Sequence, residues 1–98
     1  LNSKYYVYIC EYESQETVFS RHFLTGISSC RKIAEITSEK LEEALSPERM
    51  HALLQQREIT ITDPLAVEKV LTTLNFTSEQ VEAAMNKPYT YIRLVAKD

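Results

Sequence analysis

The sequence predicts an α+β fold: a small mixed or mainly antiparallel sheet of three to five strands, packed on one face by four short helices. Three observations carry that expectation. An aromatic and β-branched run stands at residues 4–12, and a second stands at 89–95. Between them a helix-start pattern recurs, Thr37-Ser38-Glu39-Lys40-Leu41-Glu42 against Thr77-Ser78-Glu79-Gln80-Val81-Glu82. Two short strand-like segments each precede a pair of helical stretches, so the middle of the chain reads as an internal strand-helix-helix pseudo-repeat.

The first strand is Lys4-Tyr-Tyr-Val-Tyr-Ile-Cys-Glu-Tyr12. Alternation puts Tyr5, Val7 and Ile9 on one face and Tyr6, Tyr8, Cys10 and Tyr12 on the other. Neither face is strongly polar, so both are expected to be covered, internally or by a partner. Residues 13–16 read as a turn, and residues 17–24 as a returning strand or a short helix. Residues 25–29 hold the chain's single glycine, Gly26, and read as a loop, with Ser28 or Ser29 capping the next element.

The first repeat unit then runs through Lys32–Thr37, a helix over Ser38–Leu45 and a helix over Pro47–Gln56. The second runs through a strand at Arg57–Thr62 and helices over Pro64–Leu74 and Ser78–Asn86. A Ser, Thr or Asp before each helix can accept a hydrogen bond from a first-turn N–H. Pro47 and Pro64 fit the first helical position, where no N–H is needed. Glu39, Glu48 and Glu79 favour the positive end of the helix dipole. Met50, Leu53 and Leu54 form one apolar stripe, Val67, Val70, Leu71 and Leu74 another, and Val81, Ala84 and Met85 the shortest. Aligning the units requires about two extra residues in the second, near Asn75-Phe76. The last strand places Tyr89, Tyr91, Arg93 and Val95 on one face and Ile92 and Leu94 on the other.

A chain of 98 residues predicts one domain. Its segments are an N-terminal strand or hairpin region (1–29), a first unit (30–56), a second unit (57–87) and a closing strand (88–98). No stretch approaches the roughly 20 apolar residues of a membrane span. No basic region leading into an apolar one marks a signal peptide. The net charge is −3, which disfavours a broad basic surface for nucleic acid. Two cysteines make neither a metal signature nor a disulfide framework, so Cys10 reads as a buried small hydrophobe in a cytoplasmic, reducing setting.

Candidate chemistry is sparse. Cys30 and His22 are the pair to test as nucleophile and base, with Arg21 and Arg31 near enough in sequence to depress a thiol pKa. No nucleophile elbow surrounds Cys30. His22 and His51 are the only histidines, and no HExxH, CxxC, calcium-loop or phosphate-loop pattern occurs, so neither a metal nor a cofactor is expected. The glutamates at 35, 39, 42, 43 and 48 read as a solvated helix face. The two helices around Ser46 suggest a helix-turn-helix, with Arg21, Arg31 and Lys32 as phosphate contacts. The second helix is poor in bases and the first is acidic, so nucleic acid is the alternative rather than the first choice.

The expected function is therefore a non-catalytic, soluble protein-interaction or regulatory module. Its partner would be another protein, or a second copy in a homodimer, with no membrane contact. Tyr6, Tyr8, Tyr12, Tyr89, Tyr91 and Arg93 form the expected anchor patch, because Tyr and Arg dominate binding hot spots. A cysteine-dependent enzyme is the remaining alternative.

Overall fold

A computed structural model describes residues 3–12, 28–87 and 90–97. Four strands and four helices lie among them: β1 (Lys4–Tyr12), β2 (Ser28–Thr37), α1 (Ser38–Leu41), α2 (Pro47–Gln56), β3 (Glu58–Ile61), α3 (Pro64–Thr73), α4 (Ser78–Met85) and β4 (Thr90–Lys97). The sheet is antiparallel throughout, in the order β2-β1-β4-β3. The predicted α+β class and pseudo-repeat are both present. β2-α1-α2 and β3-α3-α4 each begin on an edge strand, and β1 and β4 pair at the centre.

Register decides which side chains meet the helices. β1 and β4 pair without interruption, Tyr5 opposite Ala96, Val7 opposite Leu94 and Ile9 opposite Ile92. With a side-chain period of two, these residues share one face. Tyr5, Val7, Ile92 and Leu94 are buried there in one core with Ile36, Ile61, Leu41, Leu53, Val67, Val70, Leu71 and Val81. The described helices therefore pack on this face. Burying such a side chain is worth about 1.5–3 kcal/mol, and the short helices depend on that packing to persist.

The helix ends obey the predicted capping chemistry with one exception. Thr37 Oγ1 accepts from Lys40 N at 3.2 Å, and Ser46 Oγ accepts from Arg49 N at 3.2 Å. Thr77 completes a reciprocal box: its Oγ1 accepts from Gln80 N at 3.1 Å while Gln80 Oε1 accepts from Thr77 N at 2.9 Å. Asp63 makes no side-chain cap bond, and its ψ of 120° departs from the 156–160° at the other three caps.

Two other expectations change. The helix expected over Ser38–Leu45 is a single turn, Ser38–Leu41, continued by a turn through Ala44. Ser28 and Ser29 lie in β2 rather than in a capping loop, because β2 pairs with β1 all the way to Ser28 opposite Tyr12. The returning strand or short helix expected at 17–24 lies outside the described residues. The two extra residues near Asn75-Phe76 prove to be a Schellman turn. Asn75 sits in the left-handed region at φ 68°, Asn75 N donates to Thr72 O at 2.9 Å, and Phe76 N donates to Leu71 O at 3.2 Å.

Replacing Thr77 with Ala removes one bond of the reciprocal box. The expected loss is about 1 kcal/mol of unfolding free energy, read as a lower urea midpoint at unchanged slope. An Asp63→Ala variant should move the midpoint much less.

Candidate functional site

The face opposite the helices is set by the even-numbered residues of β1. Tyr6, Tyr8, Cys10 and Tyr12 alternate there, and Glu35, Lys32, Cys30, Tyr91, Arg93 and Val95 join them from β2 and β4. Of the predicted anchor residues, Tyr6, Tyr8, Tyr12, Tyr91 and Arg93 thus fall on one sheet face. Tyr89 lies outside the described residues.

The tyrosines form two pairs. Tyr6 and Tyr8 meet edge to face, with ring centroids 6.4 Å apart and planes at 68°. Tyr12 and Tyr91 stack at 4.8 Å and 28°. Such contacts hold rings in fixed orientations. The pairs differ in accessibility. Tyr6 and Tyr8 are half-buried, Tyr12 is exposed, and Tyr91 is only 7 % exposed. Tyr91 is therefore a packed support rather than an exposed anchor.

Cations frame the first pair. Lys32 Nζ lies 4.7 Å from the Tyr6 ring centroid, and Lys97 Nζ lies 5.8 Å from it. Lys97 also donates to Glu35 Oε1 at 2.9 Å, bridging across β1 from one neighbouring strand to the other. Arg93 donates to Glu58 Oε2 from Nη2 at 2.7 Å and from Nε at 3.2 Å. Solvent screens both pairs, so they add little stability. They do fix where the charges sit. The hydrogen bond from Lys97 holds the Glu35 carboxyl below its usual range and raises Lys97, and Glu58 raises Arg93 in the same way. Among the described residues, Lys4, Lys32, Arg93 and Lys97 stand on this face against Glu35 and Glu58, so their balance is basic on a chain of net charge −3.

Between the tyrosine pairs, Cys10 and Cys30 are joined as a disulfide, and no cysteine is free. This corrects two expectations. Cys10 is buried, but as half of a cross-strand bond, and Cys30 has no thiol to act as a nucleophile in this form. His22, its expected base, lies outside the described residues. A β-bulge makes the bond geometrically available. The register runs Val7 opposite Ala34, then Tyr8 opposite Lys32, so Ile33 is the extra residue. Without that shift Cys10 would oppose Arg31. The bond removes the free-thiol premise of the expected cytoplasmic setting and leaves the setting itself undecided.

The structure also separates the nucleic-acid candidates. Arg31 opposes Ile9 on the helix side, whereas Lys32 lies over Tyr6 on the open side. They form no single patch, and Arg21 lies outside the described residues. α1, as one turn, does not supply the first helix of a helix-turn-helix. His51 is exposed on α2, and no group of three or more metal-ligating side chains occurs among the described residues. No helix among them is long and apolar enough to cross a membrane.

Alternation in the sequence is enough to find the tyrosine face. It does not find the disulfide, whose signal is a bulge that no residue type announces.

The disulfide links residues 20 apart, and its removal from the unfolded chain restores loop entropy worth about 3 kcal/mol. A Cys10→Ala/Cys30→Ala variant should lose about that much in urea denaturation. The Glu35–Lys97 pair also has a defined pH signature. Because the folded carboxyl titrates low, its contribution is present above the unfolded value and is lost as pH falls through the folded one. Because Lys97 titrates high, the same contribution is lost as pH rises through its folded value. In Lys97→Met, the carbon-13 NMR titration of Glu35 should move upward, and an unmoved midpoint would remove the pairing as its cause.

No protein-family model, curated protein or solved structure matches this chain.

Proposed function

We propose that the domain is a non-catalytic interaction module whose docking surface is the open sheet face. The observation that carries this reading is the concentration of Tyr6, Tyr8, Tyr12 and Arg93, with Lys32 and Lys97, on the one face that no described helix covers. Tyrosine offers a large contact area and a hydroxyl at low entropic cost. Arg93 is pre-oriented by Glu58, so binding need not fix it again. The basic balance of the face fits an acidic surface on the partner protein, and opposite potentials speed encounter. A homodimer through this face would bring like charges together, which favours a different protein over a second copy.

A second reading has one observation behind it. An aromatic ring flanked by lysines is also how stacking platforms hold single-stranded nucleic acid. The two salt bridges already neutralise part of that charge, which favours the protein partner.

The test uses a Tyr6→Ser/Tyr8→Ser double variant, since both rings are half-buried and outside the helix-side core. Affinity capture from the native host should recover a partner with the wild-type protein, and recovery should fall by about tenfold or more with the variant. The urea midpoints should stay close. Retained binding by a folded double variant would sink the proposal. A salt-sensitive oligonucleotide shift lost in Lys32→Glu, with no protein captured, would favour the second reading instead.

A further inference from the structure

The helix side of the sheet is not evenly roofed. α4 packs chiefly on α3, and the first half of β2 stands apart from it. Between them lies an open cleft of about 610 Å³. Its apolar lining includes Ile9, Ile33, Phe76 and Ala84, and its polar lining includes Arg31 and Lys87. That size and mixture suit a small ligand with a few fixed polar contacts.

We propose that this cleft binds a small anionic amphiphile, a single carboxylate, sulfonate or phosphate group carried on an apolar body. Two local devices build the apolar part. The bulge in β2 adds Ile33 beside Ala34, and both pack against the core. The Schellman turn after α3 carries Phe76 to the cleft wall.

The charge comes from different elements. Arg31 opposes Ile9 in the register, which places it on the cleft side of the sheet. It is exposed and has no ion-pair partner among the described residues. Lys87, just beyond α4, reaches Glu11 only at 4.0 Å, with both side chains largely in solvent. Such a contact is weak and readily exchanged for a ligand anion. Lys32, next in sequence to Arg31, also lines the cleft, but its ammonium lies over Tyr6 on the opposite face and so is directed away from a ligand there. Among the described residues the cleft therefore offers the cationic groups of Arg31 and Lys87 and the carboxylate of Glu11 beside apolar walls. An apolar ligand without charge would leave the cations unused, and a cationic one would meet them in repulsion.

The experiment is a fluorescence titration with 1-anilinonaphthalene-8-sulfonate, with circular dichroism to verify that each variant is folded. Saturable binding at one site is expected. Dodecanoate should displace the probe, and dodecyltrimethylammonium at the same concentration should not. Arg31→Glu should weaken probe binding by about tenfold or more. Ala83→Trp, at an exposed position lining the cleft, should abolish it. Tyr8→Ser, on the other face, should leave it unchanged, so this result is independent of the docking surface on the open face. Several results would overturn the proposal: no saturable binding, equal displacement by the cationic detergent, or binding that ignores both cleft variants. Uptake seen only with phosphatidylglycerol vesicles and not with free dodecanoate would also overturn it, in favour of a lipid surface.

Discussion

The structure depends on the central pairing of β1 with β4. Those strands lie far apart in sequence, yet they match residue for residue from Lys4–Lys97 to Glu11–Thr90. An antiparallel ladder with a side-chain period of two leaves no choice about faces: a slip of one residue would exchange Tyr5, Val7 and Ile9 with Tyr6, Tyr8 and Cys10. Val7, Ile92 and Leu94 are fully buried on the helix side, so a slipped register would expose core residues on one side and bury hydroxyls on the other. The two strand-helix-helix units are then added at the edges. Their strands extend the sheet, and their helices close over one face because the apolar stripes of α2, α3 and α4 have that surface to cover.

The bulge in β2 is a small departure from regularity with large consequences. It places one extra residue between the pairs Val7–Ala34 and Tyr8–Lys32. Beyond it, Cys30 faces Cys10, Lys32 reaches Tyr6, and Arg31 turns toward the helices. The disulfide, the cation over the tyrosine ring and the charge at the cleft are three results of the same shift. β2 is also an edge strand, where a bulge and charged side chains discourage unwanted pairing with other chains.

The two faces have divided their chemistry accordingly. The open face holds Arg93 and Lys97 in ion pairs with Glu58 and Glu35, Lys32 over the Tyr6 ring, and its tyrosines in contact on either side of the disulfide. The cleft on the helix side keeps Arg31 without an ion-pair partner among the described residues. A surface whose groups are already ordered suits a large partner, because little freedom remains to be lost on binding. A recess with available cations suits a small ligand that supplies the missing anion.

Much of this was determined by the sequence alone. Ser46-Pro47 and Thr77 through Gln80 specify helix starts through bonds within four residues, so no distant contact is needed to read them. The alternation in residues 4–12 and 89–95 likewise assigned Tyr6, Tyr8, Tyr12, Tyr91 and Arg93 to common faces, because a strand's period is local. What the tertiary structure decided was non-local. Ser38–Leu45 has a helical start, yet it ends after one turn at Leu41, which is fully buried in the core. Tyr91 looked like Tyr12 in composition, but stacking on Tyr12 and lying beside the Cys30 sulfur at 4.0 Å made it a buried support. Cys10 and Cys30 looked like two isolated cysteines. Their union depends on one extra residue in a strand pairing, and such a register is set by the packing of both strands rather than by the residue types in either.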